Sequence, residues 1–223
     1  MNQSTSLSSV AEDTPIQPAL SEEGLNQFTH GIGFALSIWG AAHLLVQHGL
    51  NGSASVGYWI YAATLIALYA ASTLSHSFDD GPLRARYRTI DQICIFLFMA
   101  GIFTPISLAC CDGWWQLPLV CMWLLVAIGV YWKLNHCGDE MVPVWFYLLV
   151  GAVPMLTFTR ILQHMGTDGM LWILAAAVCY LAGVVFLVND HRHRLFHPAW
   201  HLLVMLGSLC HYVAICGFTV AIS

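Results

Sequence analysis

Long apolar runs separated by short polar breaks dominate the chain. A membrane-crossing helix needs about 20 predominantly apolar residues. Runs of that kind predict helices over residues 28–48, 56–77, 89–109, 114–132, 142–162, 169–189 and 198–221. A transmembrane strand would be about half as long and would alternate in polarity, so the pattern predicts helices and excludes a barrel. The breaks carry turn chemistry: Asn51-Gly52-Ser53, Asp79-Asp80-Gly81-Pro82, Asp112-Gly113, Asn135 to Asp139, Gly166 to Gly169 and Asn189 to Pro198. The fold class expected is an all-α integral membrane protein of seven helices. Residues 21–223 would form one membrane domain and residues 1–20 a disordered tail, because the tail can bury too little apolar surface to offset its ordering entropy. That tail lacks the basic and apolar regions of a secretory signal, so no cleavage is expected.

Composition agrees with the pattern. The 223 residues are 58% hydrophobic and only 9% charged, where soluble domains carry about a quarter charged residues. The net charge of −5 and the seven scattered basic residues exclude a nucleic-acid surface. Those basic residues do set an orientation. Arg84, Arg86 and Arg88 follow the second run, Lys133 the fourth, and Arg192 and Arg194 the sixth, while Arg160 alone falls on the other side. The positive-inside rule then places the N-terminus in the cytoplasm and the C-terminus outside. The eight cysteines show no CxxC pair and lie mostly within apolar runs, so they read as small buried hydrophobes and no disulfide is expected.

Polar side chains inside a span cost about 2.5 to 3.5 kcal/mol on insertion scales, so each needs a partner or a role. Four segments stand out: Glu22 to His30 at the first span, Ser72-Thr73-Leu74-Ser75-His76 ending the second, Asp91 in the third, and His197-Pro198-Ala199-Trp200-His201 opening the seventh. His197 and His201 are four apart, so on a helix they share one face and can grip one cation. Pro198 suits the first turn of a helix that starts beside His197. Ser72 and His76 have the same spacing, which puts a hydroxyl one turn deeper than the imidazole. The orientation drawn from arginine and lysine alone brings all these elements to the cytoplasmic ends of spans two, three and seven. Three neutral imidazoles with water in the fourth position suit zinc, and Asp91 could orient or deprotonate that water.

Plainer readings stand beside these. The histidines could form a hydrogen-bonded packing network, and Asp91 could pair with Arg88 or another loop arginine. His211 lies ten residues beyond His201, about 15 Å further along a helix and too far for the same ion, so it is expected to hydrogen-bond a neighbouring helix. His43, His48, His136, His164, His191 and His193 have no convergent partner in the sequence. Trp114, Trp115, Trp145, Trp172 and Trp200 fall near predicted span ends and read as interfacial anchors.

Taken together, Glu22/Glu23, Asn26 and His30, the Ser72-xxx-His76 element, Tyr87-Arg88-Thr89-Ile90-Asp91 and His197-Pro198-Ala199-Trp200-His201 followed by His211-Tyr212 closely resemble the hemolysin III family. That family is the bacterial branch of the progestin and adiponectin receptor family, and the likeness covers about residues 20 to 223. The resemblance implies a seven-helix, N-in fold in the bacterial inner membrane. It also implies zinc held by His76, His197 and His201, with Asp91 on the zinc-bound water and Ser72 beside it. A proposed kinship of the family with alkaline ceramidases implies hydrolysis of a lipid amide, although fold likeness does not fix a reaction.

Three functions follow for testing. The first is a zinc hydrolase of a membrane lipid amide or ester, in which Asp91 manages the proton and Ser72 steadies the oxyanion. The second is a non-enzymatic membrane sensor or homeostasis factor in which a structural zinc clamps spans two and seven. The third is the pore-forming cytolysin suggested by the family name. It fits poorly, because a secreted pore former must stay soluble before insertion and seven permanent spans would prevent that.

Overall fold

The computed structural model describes residues 22–48, 55–138 and 140–219. The expected disordered tail, the Asn51-Gly52-Ser53 turn and the end of the last span lie outside the described residues. Within them every regular element is helical. The α-helices are α1 (Glu22–His48), α2 (Ser55–Ser75), α3 (Pro82–Cys110), α4 (Leu117–Trp132), α5 (Val144–Ala152), α6 (Phe158–Leu187) and α7 (Phe196–Phe218).

Among the described residues, six helical segments are long and apolar enough to cross a bilayer: Glu22–His48, Ser55–Ser75, Pro82–Cys110, Gly113–Cys137, Val144–Leu187 and Phe196–Phe218. The sequence predicts seven. The difference lies in Val144–Leu187, where α5, a 3₁₀ turn at Val153–Thr157 and α6 run on as one segment of 44 residues. At 1.5 Å per residue such a segment would reach about 66 Å, roughly twice the hydrocarbon thickness of a bilayer. It does not run straight. Gly166 has φ 67° and ψ −174°, a conformation that only glycine adopts without strain, and it interrupts the helix where the Gly166 to Gly169 turn is predicted.

Helix ends also shift. α1 begins at Glu22, six residues before the predicted span, and α3 begins at Pro82, seven before. Pro82 in the first turn of α3 starts the helix early. Arg84, Arg86 and Arg88, expected in a loop, therefore belong to α3's first two turns, with Arg84 buried and the other two exposed.

α3 is the hub. It packs against α2, α4 and α6, and 67% of its most apolar window is buried, against 22% for the Gly113–Cys137 segment. Phe96 and Phe103 from α3 meet Tyr61 of α2, Leu44 of α1, Met122 of α4 and Ile215 of α7 in one core. α2 and α3 approach closely because Gly57 lies against the Pro105 backbone. A Cβ there would fall 2.7 Å from Pro105 Cα, a contact that neither backbone can relieve. Large apolar side chains such as Leu36, Trp39, Val178 and Val185 face outward, as lipid-exposed helices require. All eight cysteines are free thiols.

Candidate metal centre

The pairing of α1 with α2 and of α1 with α7 brings the end of α2 beside the start of α7. α7 starts at Phe196 with Pro198 in its first turn, so His197 and His201 project from one helical face, as their spacing predicts. α2 stops at Ser75, which leaves His76 in the turn that follows rather than on the helix.

The three imidazoles converge. One ring nitrogen from each of His76, His197 and His201 lies within 4.8 Å of the other two. Ring centroids are 5.0 Å apart for His76 and His201, 5.4 Å for His76 and His197, and 4.7 Å for His197 and His201. No Asp, Glu or Cys joins this group among the described residues.

His201 is fully buried. Neither of its ring nitrogens has a hydrogen-bond partner of good geometry among the described residues, the Asn26 backbone carbonyl being the acceptor turned toward it. A buried polar group left unsatisfied costs about 1–3 kcal/mol, and a cation drawing on an imidazole lone pair would offset that cost. Three neutral imidazoles form a donor set suited to zinc and to the other imidazole-preferring transition ions. The residues therefore fit the metal that the sequence predicts.

The polar surroundings are carboxylates. The His76 Nδ1–H donates to Glu23 Oε2 at 2.6 Å, and the His197 Nδ1–H donates to Asp190 Oδ2 at 3.1 Å. Arg84 donates to the other Glu23 oxygen and, at 2.8 Å, to Asp80 Oδ1. Ser72 is buried on the face of α2 that leads to His76, and its hydroxyl faces the Asp91 carboxylate. Among the described residues Asp91 forms no ion pair, so the alternative pairing with Arg88 is absent there.

A model of the family described as haemolysin-III related matches residues 19–212. The chain belongs to this family. Its relatives include hemolysin-3 of Bacillus cereus, 28% identical over 195 residues that cover 85% of this chain and 88% of the relative. The monocyte to macrophage differentiation factor of Homo sapiens is 30% identical over 216 residues, covering 89% and 85%. The hemolysin-3 homolog of Bacillus subtilis is 26% identical over 207 residues, covering 91% and 97%. These relatives agree with the hemolysin III resemblance drawn from the sequence.

For this haemolysin-III-related chain, three of the five predicted site residues come together as a cluster, and the other two, Ser72 and Asp91, meet each other. Sequence reasoning missed Glu23, Asp190 and His30 as neighbours of the site. His30 is 2% exposed and packs its ring 3.7 Å from that of His201. The spacing Glu23, Asn26, His30 was available as a signal, since positions i, i+3 and i+7 share a helical face. Nothing in the local pattern flagged Asp190, which sits in a short 3₁₀ turn, Asp190–Arg192, before α7. His211 stacks on Tyr180 of α6, with centroids 5.6 Å apart and no part in the cluster.

Proposed function

We propose that this membrane protein is a zinc-dependent hydrolase of a lipid amide or ester, working near the cytoplasmic face of a bacterial inner membrane. We further read the chain as seven passes with the N-terminus inside, the Val144–Leu187 segment turning back at Gly166. Support for that turn is the backbone break at Gly166 and the length of the segment. Support for the orientation is the placement of Arg86, Arg88, Arg192 and Arg194 at the end that carries the histidines.

The observation that carries the enzymatic reading is a convergent set of three imidazoles that no Asp, Glu or Cys joins among the described residues, with Ser72, four residues before His76, lying against Asp91. Structural zinc sites are closed by four protein ligands, whereas catalytic ones keep a position open. When bound, zinc supplies polarisation of the scissile carbonyl and acidifies a water molecule. His76, His197 and His201 would hold it and leave one direction free for water and substrate. Asp91 orients the attacking water and takes its proton as the new C–O bond forms, then passes that proton to the leaving nitrogen or oxygen as the old bond breaks. Ser72, lying against Asp91, keeps that carboxylate in position, a role distinct from the oxyanion contact expected of it from the sequence.

The test is metal content by mass spectrometry on purified, chelator-free protein, followed by turnover of a panel of ceramides, other N-acyl lipids and lipid esters. One zinc per chain, lost in His76→Ala, His197→Ala and His201→Ala, together with turnover that Asp91→Asn abolishes without losing zinc, is the expected result. Stoichiometric zinc with no turnover across the panel would move the chain to the sensor reading. An absence of metal would reduce the histidines to a packing network.

A further inference from the structure

His76 is held differently from its two partners. His197 and His201 have their backbones fixed by the hydrogen bonds of α7. His76 lies beyond the end of α2, so no helical ladder sets where its ring points. What sets it is the first turn of α1. A carboxylate only accepts hydrogen bonds, so the 2.6 Å contact with Glu23 Oε2 requires the proton of a neutral His76 to sit on Nδ1. The lone pair is then left on Nε2.

Glu23 is itself fixed from the other side. Arg84 of α3 donates to its second oxygen, and the remaining arm of Arg84 is spent on Asp80 at 2.8 Å. One turn further along α1, the Gln27 amide donates to the Ser77 hydroxyl at 3.0 Å, which ties α1 to the residue after His76. These contacts form a continuous strap, Asp80 to Arg84 to Glu23 to His76, joining α1, the turn after α2 and the start of α3.

We propose that Glu23 is the positioning residue of the centre: it holds His76 in place with Nε2 presented to the metal, and Arg84 keeps Glu23 set for that task. The inference rests on the reading of the three imidazoles as a metal centre. It adds α1 and α3 as working parts of a site whose donors come from the end of α2 and from α7. Outer-shell partners of metal-bound histidines generally influence affinity by about 10- to 100-fold, through tautomer and ring orientation.

The experiment is a chelator-competition measurement of zinc and cobalt(II) affinity on the purified full-length protein, comparing wild type, Glu23→Gln and Glu23→Ala. The thermal midpoint of each metal-free form serves as a folding control. Glu23→Ala is expected to weaken affinity toward about 100-fold and Glu23→Gln, which keeps an acceptor, toward about 10-fold, each with a metal-free midpoint that, even where lowered, stays above the temperature of the measurement. The cobalt absorption should also change as His76 leaves the ion. Wild-type affinity in both variants would overturn the proposal while leaving the metal centre standing. A wild type that binds neither ion would instead overturn the reading beneath it. Should the variants fail to fold, solid-state nitrogen-15 spectra of zinc-loaded wild type in bilayers decide the matter, with His76→Ala for assignment. A protonated Nδ1 and a metal-shifted Nε2 on His76 are expected, and the reverse arrangement would refute the role of Glu23.

Discussion

The two histidines of α7 and the single histidine after α2 reach the same point by different physical means. His197 and His201 owe their convergence to local geometry: four residues on a helix bring two side chains to one face, and Pro198 sets where that helix begins. His76 owes its place to tertiary contacts with Glu23, and through it Arg84 and Asp80. The first arrangement depends on helix register and tolerates changes around it. The second depends on side chains from other elements and weakens when one of them is lost, though its backbone has room to adjust.

The largest test of that difference is an alanine inserted between Ala199 and Trp200. One extra residue turns His201 by about 100° relative to His197, so the pair no longer shares a face and metal binding should be abolished. His201→Ala should do nearly as much, exceeding the roughly 100-fold ceiling expected for outer-shell changes, because it removes a donor outright. Metal content and affinity after chelator stripping report both. An insertion in α7 that left binding intact would mean that the helical pair does not act as a unit.

A glycine inserted between Phe78 and Asp79 is the matching change on the other side. The strap acts on the His76 ring through Glu23 rather than through the backbone of that turn. Affinity should therefore fall by about 10-fold or less, within the range of outer-shell adjustments. A loss as complete as that from the α7 insertion would show that the turn after α2 is as register-dependent as a helix.

This contrast also explains which parts of the molecule were legible in the sequence. Apolar periodicity marks helices whatever their partners, and basic residues at one set of ends indicate orientation, so the membrane class was accessible at once. His197 and His201 were legible because a single helix encodes their spacing. His76 was accessible only as one half of the Ser72-xxx-His76 pattern, and its own place just outside α2 was not foreseen. The Glu22 to His30 segment stood out, but the partner of Glu23, 53 residues away, was not legible, and Asp190 was missed because its hydrogen bond across 7 residues ends off a helix and leaves no periodic trace. The Val144–Leu187 segment shows the reverse case. Its apolar pattern suggested two spans, and only the backbone at Gly166 shows how helical structure can continue on both sides of a turn.

The smallest effect predicted is also the one that separates the two mechanisms most cleanly. Asp190 accepts from His197 as Glu23 accepts from His76, so chemistry alone would give the two carboxylates equal weight. Their settings differ. The Asp190 contact is longer, 3.1 Å against 2.6 Å, and no arginine holds Asp190 from behind among the described residues. The backbone of His197 is already fixed by α7, so losing Asp190 frees only side-chain rotation. Asp190→Asn should accordingly weaken metal affinity by less than Glu23→Gln does, at or below the 10-fold lower edge of the range for outer-shell partners. Affinities for zinc measured side by side on the two variants test the order. Equal losses would mean that the carboxylate acts through charge alone, since both substitutions remove one negative charge near the ion. A larger loss from Asp190→Asn would mean that the start of α7 is held from outside, and the comparison between a helix-borne pair and a strapped third ligand would no longer stand.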